Sequence, residues 1–291
     1  MISQEKNMCI LTIDLEEWYH GAYPNYSYKT FDNKFERRLE KIIPKLLDLL
    51  GRYNYSATFF VLGEIAKDYP QIIKEIYRNG HEIASHGFSH IRANILGEKN
   101  FADDVKISVD IIANLTGKRP KGFRAPNFSL SPSKTPWAFK LLEDFGFEYD
   151  SSVFPAIMYY GGATKFSRYI AKIGRLEEYP PSCFDIMGIR ISFSGGFYFR
   201  VLPKSIIKKG IQNYWNKNEI PVLYIHPKDI DSYTPKLPLN PIANFIHKGG
   251  CKKGFEKLIW LFNNCKCISI NEYREKHARQ TRKKETTKIK E

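Results

Sequence analysis

Apolar runs alternate with helix-like periodicity along the first half of the chain. Short apolar segments, typical of buried strands, occur at 9–14, 57–62, 82–85, 121–124 and 147–150. Between them apolar residues recur every three or four positions, which predicts helices at 34–52, 65–79, 100–116 and 133–145. Strands that alternate with helices predict an α/β fold with a parallel sheet and helical crossovers.

The pattern loosens after Asp150. Residues 155–200 contain glycine turns and many aromatic side chains, which indicates an insertion or a set of short strands. Regular spacing then predicts a helix at 204–216, a strand at 222–225, a helix at 255–263 and a strand at 267–269. The tail, 274–291, carries eight Lys or Arg and three Glu and is expected to be disordered.

Ionisable side chains stand where successive predicted strands end. They are Asp14, His86 with His90, Arg124, Asp150 and, after the later strand, His226. In an α/β barrel, active-site groups converge at the carboxyl ends of the strands. We therefore expect these side chains to meet at one edge of the sheet.

Composition adds a charge imbalance to this picture. The 291 residues include 45 Lys or Arg and 31 Asp or Glu, which gives a net charge of +14. A charge of this size makes anionic partners candidates, such as nucleic acid, anionic lipid or a phosphorylated substrate. No nucleic-acid-binding motif accompanies the charge. The sequence contains no apolar run near the roughly 18 residues that span a bilayer.

Two further features bear on the compartment. The first seven residues lack the basic and apolar regions of a secretory signal, so a cytoplasmic location is expected. Five cysteines show no disulfide framework spacing, and we expect reduced thiols. Cys251, Cys265 and Cys267 fit no metal-site spacing.

Two groups of side chains carry candidate chemistry. His86 and His90 are four positions apart, directly after a strand, and neutral imidazoles bind zinc-like metals. Asp14, Glu16 and Glu17 crowd another strand end, where like charges raise one another's pKa unless a cation lies between them. In an extended backbone Asp14 and Glu16 project from the same face, so that one can bind a metal while the other acts as a base.

Five short motifs then occur in a characteristic order. They are Thr-Ile-Asp-Leu-Glu at 12–16, His-Gly-Phe-Ser-His at 86–90, Phe-Arg-Ala-Pro at 123–126, Tyr-Asp-Ser-Ser at 149–152 and Leu-Tyr-Ile-His at 223–226. Their order resembles that of the NodB-homology polysaccharide deacetylases of carbohydrate esterase family 4. The flanking residues, including Gly-Gly-Phe-Tyr-Phe-Arg at 195–200, resemble the subgroup associated with bacterial exopolysaccharide loci.

The resemblance implies a distorted (β/α) barrel of seven or eight strands, here spanning 1–273 with an insertion at about 155–200. It also implies a divalent metal. His86 and His90 match the family's metal-binding histidines, with a carboxylate as the remaining protein ligand. Many members have two adjacent Asp there, whereas Leu15 follows Asp14 in this chain. Glu16 is the expected ligand by the same-face argument, with Glu17 as the alternative. Zinc fits this ligand set, and cobalt, nickel or iron are alternatives.

The remaining roles also come from the resemblance. Asp14 matches the general base, Arg124 the arginine that orients it, and His226 the general acid. Asn127 stands where the family uses a backbone N–H as an oxyanion donor. A carboxylate is expected to hold His226 protonated, Asp150 first and Asp229 second.

Three weaker expectations concern the substrate. Trp18 is a candidate for sugar stacking, although barrel-rim packing is the favoured interpretation. Tyr198 with Arg200 is a candidate substrate contact, and a plain hairpin turn is an equally favoured interpretation. The function implied is N-deacetylation of an amino sugar in a surface polysaccharide, or in its lipid- or nucleotide-linked precursor. The alternatives are hydrolysis of a non-sugar C–N amide and a non-catalytic glycan-binding module. The positive charge suits contact with an anionic membrane or a lipid-phosphate carrier, and not nucleic acid.

Overall fold

The computed structural model describes residues 7–21, 23, 26, 27, 29, 35–158 and 162–288. Its strands are β1 (Met8–Leu15), β2 (Thr58–Val61), β3 (Glu82–Ser85), β4 (Gly122–Phe123), β5 (Tyr149–Asp150), β6 (Ala171–Ile173), β7 (Leu176–Glu178), β8 (Cys183–Ile186), β9 (Ile189–Ser192), β10 (Val222–Ile225) and β11 (Lys266–Ile268). Its helices are α1 (Leu39–Tyr53), α2 (Gly63–Asp68), α3 (Pro70–Arg78), α4 (Ala93–Thr116), α5 (Pro136–Asp144), α6 (Gly196–Val201), α7 (Lys204–Trp215), α8 (Pro241–Lys248), α9 (Gly254–Asn264) and α10 (Ile270–Lys288).

One curled sheet organises the molecule. Its strand order is β10-β1-β2-β3-β4-β5-β7-β6, and β11 pairs with the first part of β1. The pairs are parallel except for β6 with β7, which is antiparallel. The sheet forms a half-barrel flanked by helices, which confirms the predicted (β/α) barrel.

The core lies on both faces of the central strands. Ile10, Leu11 and Ile13 in β1 are fully buried, because neighbouring parallel strands and crossover helices cover each face. Helix α1 turns one apolar side toward the sheet, and its buried residues include Leu39, Ile43, Leu46 and Leu50. Because these strands are parallel, the carboxyl ends of β1, β3, β4 and β10 lie along one edge of the sheet.

Two segments differ from the predicted pattern, and a third follows it. The helix predicted at 65–79 is two helices, α2 and α3, because Pro70 lacks an N–H and begins a new helix. The predicted set of short strands at 155–200 is present as β6 to β9, and residues 159–161 lie outside the described part.

The tail also differs, since helix α10 occupies most of the segment expected to be disordered. Arg274 ties its first turns to the body through ion pairs with Glu148 and Glu177. Residues 289–291 lie outside the described part. Among the described residues, no helix is both long enough and apolar enough to cross a membrane.

Candidate active site

Glu16, His86 and His90 meet at the carboxyl end of the sheet. One ligand atom from each lies within 4.8 Å of the others, the arrangement that a metal ion needs. Glu16 and His86 are almost fully buried. His86 and His90 come from the loop after β3, and Glu16 directly follows β1.

Neighbouring residues fix the histidine loop. The carboxylate of Asp104 on α4 accepts hydrogen bonds from the backbone N–H groups of Phe88 and Ser89. Gly87 has a φ of 71°, and a Cβ there would lie 2.7 Å from Asp104 Oδ2. The sequence motif therefore requires glycine between the two metal-binding candidates.

The orientation of His86 leaves one ring nitrogen free for a cation. Its Nδ1 donates a hydrogen bond to the Arg124 carbonyl oxygen at 2.7 Å, so Nε2 carries the lone pair. Burial lowers the pKa of His86 to about 4, which keeps the ring neutral at pH 7. Neutral imidazole is the form that binds metals.

The contact between Glu16 and His90 bears on whether a cation fits between these side chains. Their Oε2 and Nε2 atoms lie 2.6 Å apart, yet the buried Oε2 makes no hydrogen bond. Burial raises the pKa of Glu16, but the charges of His90 and His226 outweigh it and place that pKa well below its usual range. A buried carboxylate oxygen facing two histidine rings suits a divalent metal.

Glu17, the alternative ligand, faces elsewhere. Its carboxylate accepts hydrogen bonds from the backbone N–H groups of Arg38 and Leu39 and from the Tyr69 hydroxyl. It therefore satisfies the otherwise unpaired donors at the start of α1. The strand ends at Leu15, and the Glu16 N–H donates to the Asp14 carbonyl, so a tight turn rather than an extended backbone brings Glu16 beside Asp14.

Asp14 is held by Arg124. The Arg124 Nη1 donates to Asp14 Oδ1 at 2.6 Å, and this guanidinium is fully buried. Its other hydrogen bonds go to Thr12 and to the backbone and hydroxyl of Ser151. A buried arginine that is held by hydrogen bonds at all three of its nitrogen atoms fixes the direction of the Asp14 carboxylate.

Asn127 presents its backbone at the same edge. It lies in a short 3₁₀ helix, Pro126–Phe128, with a φ of 57°, in the left-handed region. Among the described residues no acceptor takes its backbone N–H. An unpaired N–H in this position is available to an oxyanion.

His226 faces both carboxylates from across the site. Its Nε2 lies 3.8 Å from Asp14 Oδ2 and 3.7 Å from Glu16 Oε1. Its Nδ1 contacts Asp229 Oδ2 at 3.0 Å, and the same oxygen accepts the His226 backbone N–H. Burial lowers the pKa of His226, but the charge and hydrogen bond of Asp229 together with Glu16 raise it above its ordinary value.

Asp150, the first choice as partner of His226, does not take that role. Its carboxylate accepts hydrogen bonds from the hydroxyl and N–H of Ser152. Burial and the charge of Asp150 also raise the pKa of the neighbouring Glu178 well above its usual range. The tight turn after β5 therefore turns Asp150 toward its own loop, and Asp229, three residues after His226, supplies the carboxylate.

Sequence reasoning missed Arg38 altogether and missed the role of Arg200, two arginines that fix the His226 loop. Arg38 makes two hydrogen bonds to Asp231, which ties the loop to α1. Arg200 Nε lies 2.8 Å from Asp229 Oδ1, an ion pair without hydrogen-bond geometry. Long-range pairs of this kind leave no local sequence signal.

Two of the three expected substrate contacts, Arg200 and Trp18, need correction. Arg200 is buried and donates to the carbonyl oxygens of Ile246 and Gly249, so it braces the fold. Trp18 is only 3% exposed, and its indole N–H donates to the Glu36 carbonyl, which leaves no free face for a sugar. Tyr198 is half-buried on α6 beside Phe197.

Lys228 is a further buried group near the site. It follows His226 in the 3₁₀ helix Pro227–Ile230 and is 7% exposed. Burial lowers its pKa, but the charges of Tyr23, Glu16 and Asp229 raise it above the ordinary value. Its ammonium group adds positive charge beside the metal-ligand candidate Glu16.

Comparison with known proteins divides the chain in two. Residues 22–149 match the family described as polysaccharide deacetylase, and residues 151–275 match a family described as a domain of unknown function. A peptidoglycan-N-acetylglucosamine deacetylase of Bacillus cereus is 36% identical over 95 residues, 33% of this chain and 34% of the relative. The Bacillus subtilis peptidoglycan-N-acetylmuramic acid deacetylase PdaA is 33% identical over 99 residues, 34% of this chain and 36% of the relative. The aligned part thus spans about a third of these curated relatives.

Solved structures share the fold over almost the whole chain. A Mycobacterium smegmatis protein provisionally described as a polysaccharide deacetylase has a TM-score of 0.61 at 19% identity, covering 96% of this chain and 93% of its own. The peptidoglycan deacetylase PdaC of Bacillus subtilis has a TM-score of 0.51 at 14% identity, covering 98% of each chain. At such identities the likeness shows the fold.

Proposed function

We propose that this protein, whose residues 22–149 match the polysaccharide deacetylase family, is a metal-dependent N-deacetylase of an amino sugar. The observation that carries the proposal is the meeting of three sets of groups at one sheet edge. They are the Glu16–His86–His90 cluster, the Asp14–Arg124 pair and the His226–Asp229 pair. Amide hydrolysis needs an activated water, stabilisation of an oxyanion and a proton for the leaving nitrogen, and these groups provide each.

Glu16, His86 and His90 hold the metal in this proposal. A divalent cation there supplies Lewis-acid polarisation of water and of the acetyl carbonyl. Zinc suits two histidines and one carboxylate with open positions, and cobalt, nickel or iron suit the same set. Asp14, held in place by Arg124, takes the proton of the attacking water.

The remaining residues act on the other side of the scissile bond. The backbone N–H of Asn127 donates to the developing oxyanion. His226, protonated through Asp229, gives its proton to the sugar nitrogen as the C–N bond breaks. The products are acetate and a free amino sugar. Asp229 acts through His226 and is a positioning residue.

The substrate that we propose is more specific than the names of the relatives. The relatives are named for N-acetylglucosamine and N-acetylmuramic acid in peptidoglycan, which supports an N-acetylated amino sugar. We extend this to a surface polysaccharide or its lipid- or nucleotide-linked precursor. A cytoplasmic location at the inner membrane face suits such a precursor, and the five cysteines, all within the described residues and all free thiols, support a reducing compartment.

The test is acetate release by the purified chain, with metal content measured in the same samples. The panel contains N-acetylglucosamine and N-acetylmuramic acid as free sugars, as nucleotide sugars and as lipid-linked sugars. We expect metal-dependent release from at least one form, abolished by a chelator and restored by zinc. Release from ring amides with none from N-acetyl sugars would instead indicate hydrolysis of a non-sugar amide.

A further inference from the structure

Helix α8 exposes large apolar side chains beside the candidate active site. Ile242 is 74% exposed, Phe245 59% and Ile246 43%. The helix is eight residues long, and its buried side chain is His247. Helices normally turn their large apolar residues toward the core, so a contiguous exposed group of this kind marks an interaction surface.

A basic groove of about 1020 Å³ adjoins α8. Phe245 on α8 contributes to its apolar wall together with Leu202, Leu239 and Pro241, whereas Glu256 is the acidic residue in the lining. Its cationic side chains are Arg200, Lys204, Lys236, Lys248, Lys252, Lys253 and Lys257.

Most of these cations have no anionic partner. Arg200 and Lys257 are engaged with backbone carbonyl oxygens. Within the described part of the chain, the other five lysines form no ion pair. Positive charge without counter-charge, next to exposed apolar side chains, is complementary to an anionic and partly apolar partner.

We propose that Ile242, Phe245 and Ile246, together with Lys204, Lys236, Lys248, Lys252 and Lys253, form a docking surface for an anionic phospholipid bilayer. We call these eight residues the α8 face. Lysines attract anionic headgroups, and apolar side chains of a short amphipathic helix enter the boundary between headgroups and acyl chains. A soluble polyanion would use the lysines but would gain nothing from the exposed isoleucines, which favours the bilayer.

The α8 face is joined directly to the candidate active site. The buried His247 of α8 lies 3.0 Å from the Tyr23 hydroxyl, and its ring packs against Trp18. Arg200 connects the α8 carbonyl of Ile246 to Asp229, the partner of His226. Helix α8 is therefore packed against the loop that carries His226, which places the α8 face near the candidate site.

The experiment measures sedimentation of the full chain with vesicles of phosphatidylcholine alone or mixed with phosphatidylglycerol. We expect binding only with phosphatidylglycerol, weakening as salt rises. The variant K236Q/K252Q/K253Q should bind at least about tenfold more weakly. The variant I242S/I246S should also bind more weakly, with its remaining binding fully salt-sensitive.

Matched controls separate the surface from bulk charge and from misfolding. K99Q/K134Q/K140Q removes the same number of exposed lysines away from the groove and should bind like the unchanged chain. Thermal unfolding midpoints verify that each variant is folded. Equal loss in both lysine variants, no binding to anionic vesicles, or salt-insensitive binding would overturn the proposal. Competition by soluble polygalacturonate, with no effect of I242S/I246S, would assign the groove to a polyanion instead.

This docking does not depend on the proposed deacetylase activity, because vesicle binding is measured without substrate. A chain that binds vesicles but releases no acetate would contradict the proposed function alone. A chain that releases acetate but ignores vesicles would contradict the docking surface alone.

Discussion

The two halves of the chain contribute to the candidate site in different ways. Residues 7–150 supply Asp14, the three metal-ligand candidates and Arg124 from the ends of regular parallel strands. Residues 151–275 supply His226 and its partner Asp229 from a loop after β10. The first half is a repeating β/α pattern, whereas the second mixes hairpins, short helices and irregular segments.

The difference lies in how each half fixes a side chain. In the first half, the parallel sheet itself aligns the strand ends, and short-range contacts, such as those of Asp104 with the histidine loop, then fix the groups that meet there. In the second half, buried ion pairs position the loop, Arg38 with Asp231 and Arg200 with Asp229. We expect substitutions in the first half to remove chemical steps and those in the second half to disturb positioning and stability.

The largest effect is expected for His86→Ala. It removes a metal ligand and should lower metal content to background and acetate release by at least about 10³-fold. Metal analysis and acetate release on the same protein sample test this. His81→Ala is the matched control, because His81 lies at the other end of β3, and it should retain the metal.

Asp14→Asn should separate chemistry from metal binding. We expect acetate release to fall by about 10²–10⁴-fold, because the general base is lost, while the metal remains bound. The measurement is again metal content beside turnover. Loss of the metal in this variant would show that Asp14 is itself a ligand and that the division of roles between Asp14 and Glu16 is wrong.

The two halves of the chain also differ in how much of their structure could be predicted from the sequence. The sequence predicted the barrel, because strand periodicity is visible in the local sequence. It also predicted the meeting of Asp14, His86, Arg124 and His226, because parallel sheets in general bring the carboxyl ends of their strands to one edge. The partner of His226 could not be predicted, since it depends on how a loop turns after β10. The sequence predicts Arg200 as a substrate contact or as part of a plain turn, and only the tertiary structure shows that it is buried against Asp229.

Asp229→Asn should shift the pH dependence of the reaction. Asp229 raises the pKa of His226 against the effect of burial, so the ring stays protonated to higher pH than an ordinary histidine, and activity falls as the pH rises through that pKa. Removing the Asp229 charge lowers the pKa of His226, so the alkaline limb should move to lower pH and kcat should fall about tenfold to 100-fold. The pH profile of kcat measures both.

Asp150→Asn provides the matched control for that shift. Asp150 is equally buried and also carries a carboxylate, but its hydrogen bonds go to Ser152. The alkaline limb should stay in place. A shift as large as that of Asp229→Asn would restore Asp150 as the group that holds His226 protonated.

The smallest effect on turnover is expected for Arg200→Met. The substitution keeps much of the side-chain volume but leaves Asp229 without its buried cationic partner, which should lower the free energy of unfolding by about 3 kcal/mol. Acetate release from a soluble substrate should fall less than tenfold, in kcat rather than KM, because Arg200 reaches the reaction only through Asp229 and His226. Denaturant unfolding and steady-state kinetics measure the two effects. A raised KM with unchanged stability would instead indicate that Arg200 contacts the substrate and that the second half of the chain contributes to substrate binding.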